Sequence, residues 1–375
     1  MNLTFLCPTF DASGYAEAAR SIIFGLLEHG NNIRIIPKDW SQLDAGLPSD
    51  QKRKLVDLCG SVILPEGPIV QICAAQFFQP FPDRVNIGVT MLECDRIPQH
   101  WARKCNQMDQ IWVPSTFNQE TFAKSGVNQE KIRVCHLGVE DTRFHPGVAP
   151  MSLPEVNDRF LFLSNFEWVP RKGYDLLLQA YLEEFTSQDP VALVIKTYDG
   201  SSFDPNGTIM RKTWQRMIER EGVNNPPVLK FLTGGMKYEE IPSFYTAGNC
   251  YIIPTRGEGW NLPALEAMSS GIPVITTNWS AHLDFVNDEN SYLIAVERME
   301  NIPEFGISND DIYRGSNWAV PLFADIRKWM RHVYEHPQEC KQKGMLAREN
   351  VIRKWSTAKM TTRILYLLHA LEGLS

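Results

Sequence analysis

The sequence predicts an α/β protein made of two doubly wound parallel sheets, one after the other along the chain. Three observations predict it. From residue 2 to about residue 140, short apolar runs alternate with longer amphipathic segments, the rhythm of a parallel sheet covered by helices. That rhythm breaks over 143–160, "RFHPGVAPMSLPEVNDRF", where three prolines and a glycine mark a linker. It then resumes and runs to residue 277. A length of 375 residues suits two domains of roughly 150–200 residues each. Residues 1–145 are expected to form the first and 155–355 the second.

In order, "NLTFLCP" (2–8) reads as a buried strand, and 11–30 as a loop and an amphipathic helix closed by Gly30. Strands follow at 31–40, 67–74 and 85–92, then a helix at 96–110, a strand at 111–115, a helix at 118–126 and a strand at 132–138. In the second half, strands at 160–166 and 191–198 flank a helix at 173–186, and strands follow at 228–234, 250–255 and 272–277. The end of the chain reads as several helices. The stretch 41–55, "SQLDAGLPSDQKRKL", matches no pattern.

Composition removes several classes. With 37 basic against 44 acidic residues the net charge is −7, which argues against a general nucleic-acid binder. No apolar stretch reaches 18 residues, so no membrane span is expected, and "MNLTFLCPTF" lacks the basic start of a signal peptide. Eight cysteines without a Cys-x-x-Cys pair read as buried thiols in a reducing cytosol. The protein is therefore expected to be cytoplasmic. The basic run "QKRKL" and the C-terminal basic helices permit peripheral contact with a membrane, against the simpler reading of solvated helix faces.

In open parallel sheets, ligands bind past the carboxyl ends of strands, near helix N-termini. Four stretches lie there. In "RGEGWNLPALEAMSSG" (256–271), Asn261 caps a helix whose first turn holds Pro263 and which Gly271 ends. The amides of Gly259, Trp260, Asn261 and Leu262 would face an anion such as a diphosphate, while Glu258 and Glu266 accept hydrogen bonds from sugar or ribose hydroxyls. In "SNFEWVPRKGYDLLL" (164–178), Arg171 and Lys172 open a helix whose dipole they oppose, which makes sense with a phosphate between. Gly14, between the first strand and helix, suits close backbone approach to a ligand or a purely structural turn. In "TMLECDRIPQHW" (90–101), Glu93 and Asp95 follow a strand of the first domain, so they face the cleft; the plainer reading of Asp95 is a helix cap and salt bridge. No Asp-x-Asp occurs, and no Gly-x-Gly-x-x-Gly fingerprint argues for a dinucleotide. His100 and His136 are further candidates, His136 reading as structural.

These stretches, in this order, resemble the family-4 retaining glycosyltransferases. The resemblance rests on Glu258 and Glu266 within "EGWNLPALEAMSSGIPVI", on "PRKG" (170–173), and on "IWVPSTFN", "SGV" and "IRVCHLGVEDTRF" across 111–144. It implies a GT-B fold, two Rossmann-like domains facing across a cleft, with a last helix (about 356–375) crossing back onto the first. It also implies a nucleotide-diphosphate sugar donor in the second domain and an acceptor of unknown identity on the first. By analogy Glu266 binds the ribose, Glu258 the donor sugar, and Arg171 with Lys172 the diphosphate; no metal or other cofactor is expected. Two departures stand out: Asn165 where many members carry arginine, and Glu93 with Asp95 where many carry histidine. The second departure keeps two alternatives open, a non-catalytic nucleotide-sugar-binding partner subunit and another GT-B enzyme such as a phosphorylase or epimerase.

Overall fold

The computed structural model describes every residue except 42, 157, 199–203, 205, 304–309 and 373–375. The first sheet contains β1 (Asn2–Cys7), β2 (Asn32–Pro37), β3 (Ile69–Ile72), β4 (Asn86–Val89), β5 (Gln110–Val113) and β6 (Ile132–Val134), in the order β2-β1-β3-β4-β5-β6. The second contains β7 (Phe160–Glu167), β8 (Val191–Tyr198), β9 (Val228–Thr233), β10 (Cys250–Ile253), β11 (Val274–Thr277) and β12 (Tyr292–Ile294), in the order β12-β11-β10-β7-β8-β9. All pairings in both sheets are parallel.

Helices cover both faces, so the strands are buried on both sides and read as near-continuous apolar runs. β3, β4, β5, β10 and β11 are buried at every position. The strand order reverses between β1 and β3 in the first sheet and between β7 and β10 in the second. Each reversal opens a crevice at the strands' carboxyl ends, the place where doubly wound sheets bind ligands.

Two connections tie the halves together. The helix Thr357–Glu372 returns to the first domain and packs on the helix Gly14–Glu28, where Thr361 occupies the space a side chain at residue 25 would need. Its entry is fixed by hydrogen bonds from Val139 N to Trp355 O and from Thr357 N to Val139 O, both 2.9 Å. The proline-rich linker is packed rather than free: Phe144, Leu153 and Val156 are buried, and Met151 N donates to Ser243 O.

The sequence reading missed an antiparallel hairpin, β13 (Val296–Asn301) with β14 (Asn317–Pro321). It leaves the second sheet and lies against the first domain. There Ile302 and Trp318 join a buried cluster with Leu92, Cys94, Ile97 and Trp101. Also missed was the helix Ser49–Leu58, which covers the latter part of the unread stretch 41–55 and buries only Leu55.

Candidate active site

The crevice of the second sheet is lined by two loops built for close approach. After β7, a single 3-10 turn (Pro170–Lys172) leads to Gly173, which adopts the left-handed conformation (φ +70°) at the N-cap of the helix Tyr174–Glu184. A Cβ there would lie 2.0 Å from the Pro254 carbonyl oxygen, on the neighbouring loop after β10. Gly173→Ala is therefore expected to destabilise by at least about 2 kcal/mol, from backbone strain plus a clash with main chain. A denaturation midpoint within error of the wild type would contradict this close packing. Arg256 clamps the same two loops together, donating to both carboxylate oxygens of Asp175 at 2.7 and 2.8 Å.

These loops deliver Arg171, Lys172 and Glu258 to one point, and the loop after β4 brings Glu93 to it from the first domain. Lys172 Nζ lies 2.8 Å from both Glu258 carboxylate oxygens. Arg171 reaches Glu93 at 3.2 Å, Glu258 at 3.5 Å and the Gly257 carbonyl at 2.8 Å. Tyr313, next to the hairpin, donates to Glu93 at 3.1 Å. Two cations thus face two carboxylates, with the Lys172 and Glu258 side chains only 13% and 5% exposed.

Burial opposes charge on both members of that pair. For Glu258 the two cations outweigh burial and hold its carboxyl below the usual range; for Lys172 burial wins and lowers the ammonium pKa despite Glu258. Burial alone would lower Arg171 too, but Glu93 and Glu258 raise it. This changes one premise. Arg171 and Lys172 do not wait unpaired at a helix end for a phosphate, because Glu93 and Glu258 neutralise them in the ligand-free protein.

The cluster is set on strained backbone. The Glu258 amide donates to Ser280 Oγ at 3.0 Å, and Ser280 has φ +81°, ψ −160°, a conformation that is rare outside glycine. His282, two residues on, is fully buried against Thr277 O at 2.6 Å. The domains meet here almost at van der Waals limits, since a Cβ on Gly257 would stand 2.0 Å from the Glu93 carbonyl oxygen.

Asn261 caps the helix Leu262–Ser269 as the sequence suggests, its side chain accepting from Ala264 N at 3.3 Å. Its own φ is +75°, which turns the chain sharply at the crevice floor. Glu266 lies on the exit side of that helix's first turn, half-buried. Tyr245 Oη donates to its Oε2 at 2.6 Å and also lies 3.2 Å from Asn165 Oδ1. Burial raises the Glu266 pKa to about 7, more than the Tyr245 hydrogen bond lowers it. Glu266 and Leu262 line a cavity of about 660 Å³ together with Glu17, Arg20, Arg143 and Tyr238, so it opens between the two domains.

The other sequence candidates are placed differently. The Asp95 carboxylate is taken up by the hairpin: Asn317 N and Nδ2 donate to it at 2.7 and 2.8 Å. Burial would raise its pKa, but these bonds and Arg96 lower it. Asp95 therefore latches the hairpin to the first domain. Asp95→Ala is expected to speed amide exchange at Asn317 at least about tenfold, the effect of losing a charge-assisted hydrogen bond; unchanged exchange would remove that role.

The Trp260 ring is buried away from the crevice, 5.5 Å from His136, 5.1 Å from Phe285 and 5.7 Å from Trp355, so only its backbone is placed to meet a ligand. His136 packs there structurally and meets Asp284 at 3.0 Å. Gly259 sits under Met91 of the first domain. Gly14 opens the first helix behind the cap Ser13, and a Cβ there would meet nothing within 4 Å. His100 lies half-buried on the helix Gln99–Asn106.

Sequence reasoning did not single out Arg256, Tyr245, Ser280, His282 or Tyr313. Arg256 stood beside a named motif and could have been found; the others come from distant segments. Among the described residues, no three or more His, Cys, Asp or Glu side chains gather as a metal site, and no helix is long and apolar enough to cross a membrane. All eight cysteines are free, and all but Cys59 are buried.

Two doubly wound sheets, a shared crevice and a returning last helix define the GT-B class of fold. Residues 157–304 match the family model described as glycosyl transferases group 1. The chain superposes on Anabaena HepE, solved in complex with UDP-glucose, with a TM-score of 0.69 at 14% identity, covering 99% of this chain and 100% of that one. It is 25% identical over 157 residues to the mannosylfructose-phosphate synthase of Agrobacterium fabrum (40% of this chain, 34% of the relative). It is 27% identical over 171 residues to the MMP alpha-(1->4)-mannosyltransferase of Mycolicibacterium hassiacum (46% of this chain, 37% of the relative). The chain thus spans about a third of the length of these curated relatives.

Proposed function

We propose that this protein is a retaining glycosyltransferase, which moves a sugar from a nucleotide-diphosphate donor to an acceptor hydroxyl without a metal ion. The observation that carries the reading is the ion-paired, largely shielded quartet of Glu93, Arg171, Lys172 and Glu258 at the strand-order reversal of the second sheet. An entering donor exchanges partners with it. Its diphosphate takes Lys172 and Arg171, and the freed Glu258 accepts hydrogen bonds from the donor sugar. This exchange is plausible only for a strong anion, because a neutral ligand would leave buried charges unpaired. The likeness to a mannosylfructose-phosphate synthase supports it, as does the fold shared with a protein solved in complex with UDP-glucose.

In the reaction, the bond from the anomeric carbon to the diphosphate oxygen breaks and a bond to the acceptor oxygen forms on the same face. The acceptor's proton passes to the departing diphosphate. Arg171 and Lys172 stabilise the negative charge that develops there, in place of a metal. Glu93, at the first-domain side of the crevice, accepts a hydrogen bond from the acceptor hydroxyl. Glu266 holds the ribose at the mouth of the 660 Å³ cavity. The free thiols suit a cytoplasmic enzyme.

Proton NMR of donor turnover with water as the acceptor tests this. The first-formed free sugar is expected in the donor's own anomeric configuration, in the presence of EDTA. The inverted anomer would refute retention. Donor binding with no turnover would favour the non-catalytic partner subunit, and sugar phosphate released from an oligosaccharide by inorganic phosphate would favour a phosphorylase.

A further inference from the structure

The quartet at the crevice is charge-balanced within itself, so it offers a diphosphate no net positive charge. A third cation stands one strand away. Lys196 is the register partner of Asn165 in the β7–β8 pair, so their side chains project from the same face of the sheet, near its carboxyl edge. That face also carries Glu266, linked to Asn165 through the Tyr245 hydroxyl.

Lys196 is half-buried, and its ammonium makes no hydrogen bond or ion pair with any described residue. Its Nζ stands over the Tyr198 ring, 5.5 Å from the centroid. Burial lowers its pKa, and the Glu266 carboxylate only partly offsets this. A lysine that is both withdrawn from water and unpaired is unfavourable unless a ligand completes it. Glu266 is a weak counter-charge, since its own pKa of about 7 leaves it partly protonated near neutrality. Asn165 and Tyr245 connect the position of Lys196 on the sheet to Glu266, whose carboxylate bears on the ammonium.

We propose that Lys196 is a further donor-binding residue: it contacts the diphosphate of the nucleotide sugar and adds positive charge to that of Arg171 and Lys172, which Glu93 and Glu258 balance. The assignment rests on the glycosyltransferase reading above. It also gives Asn165 a role, since a short neutral side chain there leaves room for the lysine beside it.

The test is a calorimetric or NMR titration of wild type, Lys196→Met and Lys196→Arg. The probes are uridine with UDP and guanosine with GDP, and the pair the wild type binds is used. Lys196→Met should weaken the diphosphate at least about tenfold, as for a lost charge-assisted bond, and leave the nucleoside within about twofold. Lys196→Arg should recover most of the diphosphate affinity, and the melting temperature of free Lys196→Met should not fall below that of the wild type. Equal diphosphate affinity in wild type and Lys196→Met would overturn the assignment, as would equal losses for nucleoside and diphosphate. If the wild type binds neither diphosphate, nor ADP or TDP, the glycosyltransferase reading itself falls and this assignment with it.

Discussion

Lys172→Ala is expected to lower turnover at least about a hundredfold, the scale of losing a group that acts on transition-state charge. Lys172 is the buried cation closest to Glu258, 2.8 Å from both of its oxygens. Removing it has a second consequence: Glu258 stays buried with only Arg171, at 3.5 Å, as a counter-charge. Breaking such a pair from one side costs about 3–5 kcal/mol of stability. Loss of activity by Lys172→Ala could then reflect unfolding alone. The double variant Lys172→Met with Glu258→Gln separates the two, because it removes both charges and keeps their volume. It should regain most of the lost stability while staying inactive. A double variant that is stable and active within about tenfold of wild type would remove both residues from the chemistry.

Glu266→Ala is expected to lower turnover by a similar factor, but by another route. Glu266 lies on the helix Leu262–Ser269 and accepts a hydrogen bond from Tyr245. As a carboxylate it can accept two ribose hydroxyls; protonated, it loses much of that capacity. Its pKa of about 7, raised by burial, sets the direction of the pH dependence. Below pH 7 the protonated form prevails and donor affinity falls; above pH 7 the ionised form prevails and affinity rises to a plateau. Wild type should therefore bind donor more tightly at pH 8 than at pH 6, and Glu266→Gln should bind weakly at both. Stability runs the other way. A carboxyl whose folded pKa is raised favours the fold fully below its unfolded value near 4.5, and that contribution is lost as pH rises through 7. A pH-independent donor affinity in the wild type would contradict the ribose role.

The fold was largely legible because strands buried on both faces read as apolar runs whatever their neighbours. β10 and β11 are of that kind, and so is β7 over Leu161–Ser164. The hairpin was not legible for the converse reason. β13, "VERMEN", is exposed or half-exposed along its length, so no buried pattern marks it, and its burial partner Trp318 lies beyond an intervening segment. The helix Ser49–Leu58 buries one leucine and reads as a polar loop for the same reason.

At the site, Glu258, Glu266, Arg171 and Lys172 could be picked out because strand ends are where sheets expose ligand-facing groups. What they do to one another could not. Only the adjacency of β10 and β7 sets Lys172 against Glu258, and only domain closure sets Arg171 against Glu93. The inference that two adjacent cations imply a phosphate overlooked carboxylates more than 75 residues away in sequence. Asp95 shows the opposite error. It follows a strand and faces the cleft, yet a segment from the other domain had already claimed it.

The most direct test of the central claim is thermal unfolding of the wild type and of the Lys172→Met, Glu258→Gln double variant with UDP, GDP, ADP and TDP. Each nucleotide is tried alone and as its common sugar conjugates, with EDTA present. A ligand at a hundred times its dissociation constant stabilises a fold by about 2.7 kcal/mol, well within reach of the method. One nucleotide and its sugar conjugate are expected to stabilise the wild type, unaffected by EDTA, and to stabilise the double variant much less. Stabilisation by none of them, or equal stabilisation of both proteins, would contradict a donor site built on this crevice.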